Sequence, residues 1–410
     1  MISETKKKEN RLSERIFELS IFSTSFLFPL LPKFLPWIIA INILFFLINE
    51  NFKLIFKKVI LNKYTFLFIA VYLIYLLGMI YSENKIFGWN DMGMKLSLMI
   101  FPLILAGNKI DWKKNLNRIL QAFVAGCFLS AAILILRASY LYLFRNQNAF
   151  FYESLSFYFH PSYLALYFDF AIAIILFNGE GFNQFGRILK IAIVSLLSIS
   201  VILLSSKAGL LGLVLVYLVA FIILAVSRKS AKFIFLLLII LSAIYFVLNY
   251  FIDRKQNRFI MAENVIIEKE LDKKSAESST VRIFVWKSCI DLIKLHPVFG
   301  VGTGDVKDAL VKSYEVNGIS GALAKKLNAH NQFLQTAVAL GILGLIILLT
   351  SLLFPLIRFI RYKEWLAVCF LLLIIFNFLF ESMLERQDGI VFYAFFNAVL
   401  FYSSENNAKG

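Results

Sequence analysis

The sequence predicts an all-α polytopic membrane protein with about twelve transmembrane helices and one long, partly helical loop. Two observations carry that expectation. Hydrophobic residues make up 60% of the chain, 44 of them Phe, and only 17% of residues are charged, an apolar excess that a soluble chain of this length has no room to bury. Apolar runs of the roughly 18 to 20 residues needed to cross a bilayer core also recur from one end to the other. The position of the charges agrees. A net charge of +16 would point a soluble protein toward nucleic acid, but here Lys and Arg gather in alternate short loops, as the positive-inside rule requires, and nucleic acid is excluded as a partner.

The runs, separated by polar or charged breakers, centre near Ser23, Ile43, Val71, Ile100, Leu129, Phe168, Val194, Val216, Leu241, Leu345, Leu372 and Phe395. The first two are short and interrupted by Pro29, Pro32 and Pro36. The basic stretch "MISETKKKENRLSER" precedes no A-x-A-like cleavage site and reads as a cytoplasmic tail. The loops "NFKLIFKKVILNK", "GNKIDWKKNLNR", "SRKSAK" and "RFIRYK" are basic, whereas the opposite loops "YSENKIFGWNDM" and "ESMLERQD" are mixed or acidic. That asymmetry puts both termini on the cytoplasmic side.

Three segments follow. Residues 1–252 form an N-terminal bundle of about nine spans, 253–329 a loop on the non-cytoplasmic side, and 330–410 about three C-terminal spans. The loop carries helical signals. In "TVRIFVWKSCIDLIKLH" the residues Ile283, Trp286, Ile290 and Ile293 recur at helical spacing and predict one apolar face, and Val306, Leu310, Val311 and Tyr314 repeat the pattern in "DVKDALVKSYEV". Between them "HPVFGVGTGD" stops a helix with Pro297 and turns through three glycines. Cys127, Cys289 and Cys369 form no disulfide framework and read as small apolar residues.

Charged and polar groups at membrane depth need a partner or a purpose. Arg137 and Asp169 sit at matching depth on consecutive spans, roughly 12 to 14 Å from the outer end by helical rise, which predicts an ion pair, either packing two helices or lining a substrate cavity. Further polar residues gather at the outer ends of the spans. His160 opens one span, Lys207 lies in the short turn "SSKAGL", Arg282 and His296 flank the first loop helix, His330 begins the span "NAHNQFLQTAVALGILGLIILL", and Glu381 and Arg386 share an outer turn. Five apart, the last two predict a local ion pair. Cations of this kind neutralise phosphate oxygens and a leaving group's charge, and a neutral His takes a proton from a hydroxyl. The chemistry they describe is glycosyl transfer from a lipid diphosphate to a sugar hydroxyl. No metal is expected, since no His-Glu-x-x-His or comparable ligand spacing occurs, and no nucleotide cofactor, since the glycine turn follows a helix and no Walker lysine follows it.

The order "HPSYLA", "LLSSKAGLLG", "STVRIFVWKSCIDLIKLHPVFGVGTGD", "AHNQFLQTAVALGILGLI", "ESMLERQDGIVFYAFFNAVLF" resembles the O-antigen ligase and O-antigen polymerase superfamily over roughly Tyr158 to Phe401, in a composition similar to Bacteroidetes members. The resemblance implies a bacterial inner-membrane enzyme, active on the periplasmic face, that transfers a glycan from undecaprenyl diphosphate with inversion and without cofactor. It implies His330 as the general base and Arg282 as a diphosphate contact. Lys207 stands where many ligases have an arginine, which keeps the charge and loses the bidentate fork. His160, Arg137, Glu381 and Arg386 are the remaining candidate diphosphate or glycan contacts. The acceptor is lipid A-core for a ligase, a second lipid-linked repeat for a polymerase. A transporter or flippase is the reading from another class, and the absence of a visible internal repeat counts against it.

Overall fold

The computed structural model describes residues 2–49, 62–107, 112–228 and 280–407. Among these the chain is helical, with no strand. Its elements are α1 Ile2–Leu27, α2 Leu35–Asn49, α3 Lys63–Tyr81, α4 Lys85–Lys95, α5 Ser97–Gly107, α6 Trp112–Arg145, α7 Tyr152–Leu155, α8 Pro161–Phe177, α9 Arg187–Leu204, α10 Lys207–Arg228, α11 Thr280–Leu295, α12 Val306–Val316, α13 Ser320–Lys325, α14 Gln332–Arg361, α15 Trp365–Phe380 and α16 Gln387–Asn407. Eleven of the twelve expected span centres fall inside these helices, and the twelfth, Leu241, lies outside the described residues. Segments of α3, α6, α9, α10 and α14 are each long and apolar enough to cross a membrane. The protein is membrane-embedded. Its outward surface is correspondingly apolar, with Trp37, Ile188 and Ile357 among the residues it exposes.

Two helices form the centre. Every residue of α8 from Pro161 to Ile175 is buried, and α16 is buried from Ile390 to Ser404. Phenylalanines pack between them and onto α6 and α15. Tyr167 stacks on Phe392 at 4.6 Å, Phe123 meets Phe396 at 4.6 Å, and Phe170 meets Phe370 at 4.9 Å. Lipid tails are as apolar as the side chains, so helices associate through close packing, and large interlocking rings supply dispersion contact.

The glycine turn has a structural task. Helix α14 breaks at Gly341 (φ 62°, ψ −159°), and the segment Pro297–Gly302 docks into the break. Val301 N donates to Val338 O at 2.9 Å, Gly302 N to Ala339 O at 2.8 Å, and Ile342 N to Pro297 O at 2.9 Å. Broken helical backbone is tolerated in a membrane protein where the surrounding chain satisfies it. A Cβ on Gly341 would run into Val298 O, and one on Gly300 into the backbone of Ala339. Beyond the turn Asp305 accepts from Glu83 N and Asn84 N, both at 2.7 Å, and fastens α12 to the start of α4.

Two local expectations are overturned. Helix α11 buries Val281, Val285, Ser288 and Cys289 and turns Ile283 and Ile290 outward. The helix has two apolar faces, and the one that also carries Phe284 packs on the bundle, with Trp286 and Ile293 of the expected face left half-buried. Arg137 and Asp169 form no pair. Arg137 Nη1 donates to Ser154 O at 2.9 Å and its guanidinium lies 4.2 Å from the Phe157 ring centroid. Asp169 is fully buried against Gly212 of α10, with no hydrogen-bond partner among the described residues. The two side chains point to different surroundings.

Candidate active site

His330 lies two residues before α14, next to its N-cap Asn331, and its backbone is left-handed (φ 45°). A non-glycine residue there stores about 1–3 kcal/mol and persists only where neighbours hold it. They do. His330 N donates to Asn328 Oδ1 at 3.1 Å, and Asn331 caps α14 by accepting from Leu334 N at 3.0 Å. Ala329 is held twice, by Trp286 Nε1 on its carbonyl and by Gln335 Oε1 on its amide, both at 3.0 Å. Asn331 Nδ2 adds a bond to Leu379 O at 3.1 Å, which ties the start of α14 to the end of α15. The imidazole is thereby aimed at the segment after α15.

That segment begins with Glu381, which joins the site together. One carboxylate oxygen, Oε2, lies 3.4 Å from His330 Nδ1, and the other, Oε1, lies 3.5 Å from Arg282 Nη2 and accepts from Ser162 Oγ at 3.5 Å. Ser162 in turn accepts from Ser206 Oγ at 3.0 Å, and Ser206 caps α10 through Gly209 N at 3.3 Å. Burial pushes the Glu381 carboxyl up, but His330, Arg282 and His160 outweigh it and hold the group below the ordinary carboxylate value. Glu381 is therefore an anion, and the expected local pair with Arg386 is not formed. Arg386 instead lies 5.8 Å from the Tyr163 ring centroid.

The remaining candidates sort by distance from this carboxylate. His160 caps α8, its Nδ1 accepting from Ser162 N at 3.4 Å, and burial lowers its pKa from the ordinary value. Lys207 is exposed on the first turn of α10, directly after Ser206. Arg137 is bound at Ser154, and the exposed His296 ends α11, its carbonyl accepting from Gly300 N. The structure thus brings His160, Arg282, His330 and Glu381 into one cluster, with Arg386 and Lys207 on segments that adjoin it. Three helix N-termini, those of α8, α10 and α14, meet there. Each carries unpaired N–H groups and roughly half a positive charge, so the cluster favours an anion before any side chain is counted.

Sequence reasoning missed Ser162 and Ser206, which relay the cluster from α10 to Glu381. It also missed three buried polar atoms without a hydrogen-bond partner among the described residues: Arg282 Nε, Tyr163 Oη and Ser382 Oγ. All three belong to this neighbourhood, through Glu381 for Arg282, through Arg386 for Tyr163 and by adjacency to Glu381 for Ser382. The local sequence marks neither Tyr163 nor Ser382, and marks Arg282 only as a cation, because being unpartnered is a property of the assembled site.

Residues 192–349 match the family model described as O-antigen ligase. The match contains Lys207, Arg282 and His330 and ends before Glu381. A stretch of 158 residues is 27% identical to an uncharacterized protein of Haemophilus influenzae, covering 36% of this chain and 39% of that protein. The chain therefore spans about two fifths of that relative's length. The motif order, the membrane-embedded helical fold and the family match agree, and across residues 192–349 the chain is similar to the O-antigen ligase family.

Proposed function

We propose that the protein transfers a glycan from undecaprenyl diphosphate to a sugar hydroxyl of lipid A-core on the periplasmic face of the bacterial inner membrane. The observation that carries the proposal is the His330–Glu381–Arg282 cluster: a base backed by a carboxylate, beside a guanidinium with a spare buried donor. The family match supports a ligase- or polymerase-type activity in general, and the residues supply the steps.

With Nδ1–H directed to Glu381, the imidazole presents Nε2 as the proton acceptor. The acceptor hydroxyl loses its proton to Nε2 as its oxygen attacks the anomeric carbon. The bond from that carbon to the diphosphate oxygen breaks on the opposite face, which inverts the centre, and the electron pair leaves with the diphosphate. Arg282, Lys207 and Arg386 balance the leaving charge, with the three helix N-termini adding to it. Glu381 stabilises the imidazolium formed and fixes its tautomer, the role a carboxylate plays behind other catalytic imidazoles. The diphosphate is already an activated leaving group, so these steps call on no further cofactor. The loop charges orient the site to the periplasm, where a polyprenyl-anchored donor presents its diphosphate at the membrane surface.

The test uses purified protein in detergent with an undecaprenyl diphosphate-linked glycan from its own host, offered lipid A-core or a second lipid-linked repeat. Product on lipid A-core, lost in His330→Gln protein that still inserts and runs monodisperse, supports the proposal. Lengthening of the lipid-linked chain alone makes the protein a polymerase with the same base. Retained turnover in His330→Gln protein removes His330 from the mechanism.

A further inference from the structure

The turn that carries Glu381 is fastened from behind by a second charged cluster that the mechanism above does not use. Lys95, the last residue of α4, is fully buried. Its Nζ lies 2.5 Å from Asp91 Oδ1, 3.0 Å from Glu385 Oε1 and 4.6 Å from the Tyr75 ring centroid. Glu385 closes the 3-10 turn Met383–Glu385 that begins two residues after Glu381. The same turn is bonded to the start of α14, where Leu384 N donates to Gln332 Oε1 at 2.7 Å. Gln332 Nε2 continues to Thr336 Oγ1 at 3.1 Å, and Thr336 meets Tyr75 Oη at 2.8 Å. One buried network therefore grips the chain four residues after Glu381 and two residues after His330, and Tyr75 belongs to both of its arms.

Three charges withdrawn from water are costly, and apolar side chains of similar size often hold a fold as well or better. What an ion cluster adds is registry. An apolar surface lets a short turn slide, whereas an ammonium between two carboxylates accepts one position. The Glu381 contacts to His330 and Arg282 are 3.4 and 3.5 Å long, at the outer edge of bonding range, so a small slip of the turn would end them.

Building on the function proposed above, we propose that Lys95 is a positioning residue, which locks the Met383–Glu385 turn through Glu385 so that Glu381 stays in register with His330. It touches no substrate. Its loss lowers the rate of the chemical step and leaves donor binding in place.

The test compares full-length wild type with Lys95→Met, Lys95→Arg and the charge-free Asp91→Asn/Lys95→Met/Glu385→Gln protein. The last avoids leaving an unpaired buried charge where Lys95→Met alone fails to fold. Hydrogen exchange is read across residues 381–389 and, as a control, across α8 and the part of α16 from Ile390 onward. Transfer is read as kcat and KM. The expected result is faster exchange confined to 381–389, a fall in kcat of about 100-fold, the scale of a 1 Å misplacement, little change in donor KM, and partial rescue by Lys95→Arg. Unchanged exchange at 381–389, a global rise that includes both control segments, or wild-type kcat in a variant with a loosened turn each overturns the proposal. The two readings separate cleanly. Absence of transfer by wild type while Lys95→Met still loosens the turn sinks the proposed function, and with it a positioning role in that reaction. Wild-type transfer with an unmoved turn in Lys95→Met sinks the positioning role alone.

Discussion

Replacing Glu381 by Gln tests the candidate centre most directly, because it keeps the size of the side chain and removes one charge. The carboxylate faces His330 Nδ1 at 3.4 Å and Arg282 Nη2 at 3.5 Å, with the three side chains about a tenth to a quarter exposed. At an effective dielectric near 20, a unit charge at about 3.5 Å contributes roughly 5 kcal/mol to an imidazolium formed in the transition state. Solvent screening at partners this exposed reduces that to about 3 kcal/mol, or about 100-fold in rate. Losing the tautomer control that a carboxylate exerts raises the ceiling to about 10,000-fold.

Glu381→Gln protein should therefore lose about 100- to 10,000-fold in kcat. Donor KM does not rise. Glu381 neutralises part of the Arg282 charge, so the amide leaves the guanidinium more cationic toward a diphosphate, and donor KM stays level or falls. The assay is initial-rate transfer to lipid A-core at saturating acceptor, with donor varied and product resolved by mass spectrometry. A kcat within about threefold of wild type, or a loss expressed wholly in donor KM, refutes the reasoning.

Two further outcomes follow from particular residues. Burial lowers the His160 pKa from its ordinary 6.5, so the unfolded chain binds more protons below that value and stability is lost as pH falls from 6.5 through the folded pKa. His160→Asn keeps a helix-capping acceptor and does not titrate, so its thermal stability should change less with pH over that window; identical pH profiles for the two proteins would contradict this. Gly341→Ala places a Cβ against Val298 O in a conformation that is nearly glycine-only, costing about 1–3 kcal/mol from the backbone alone and speeding amide exchange at Val301 and Gly302. Gly318→Ala is the control: its φ is also positive, but no atom lies within 4 Å of the added Cβ, so the loop should stay docked.

The spans were legible because lipid imposes a long, one-dimensional apolar signal. Their directions were not. Arg137 and Asp169 were paired on depth alone, but depth is one coordinate, and the azimuth of each helix is set by what it packs on. Helix α8 is surrounded on all sides, so Asp169 meets Gly212 of α10, while Arg137 follows the outer end of α6 to Ser154. Helix α11 misled for a related reason: two apolar faces give two acceptable periodicities, and only the bundle chooses between them.

The candidate centre divides in the same way. His160, Lys207 and His330 were readable because each lies at a helix start, where a polar residue beside an apolar run has a local signature. Glu381 was readable only as a polar residue in a turn. What makes it central is its contacts, to His330, Arg282 and Ser162, at separations of 51, 99 and 219 residues. Its sequence neighbour Arg386 offered a plausible partner, and the fold supplied a different one. Lys95 is the extreme case. With Asp91 four residues before it, it reads as an ordinary surface pair on a short helix, and its partner Glu385 is 290 residues away. The burial of that pair is what turns an unremarkable charge pattern into a constraint on Glu381. The candidate polar residues at helix starts are thus written locally, while the contacts that join them to Glu381 and Lys95 are defined by the fold alone.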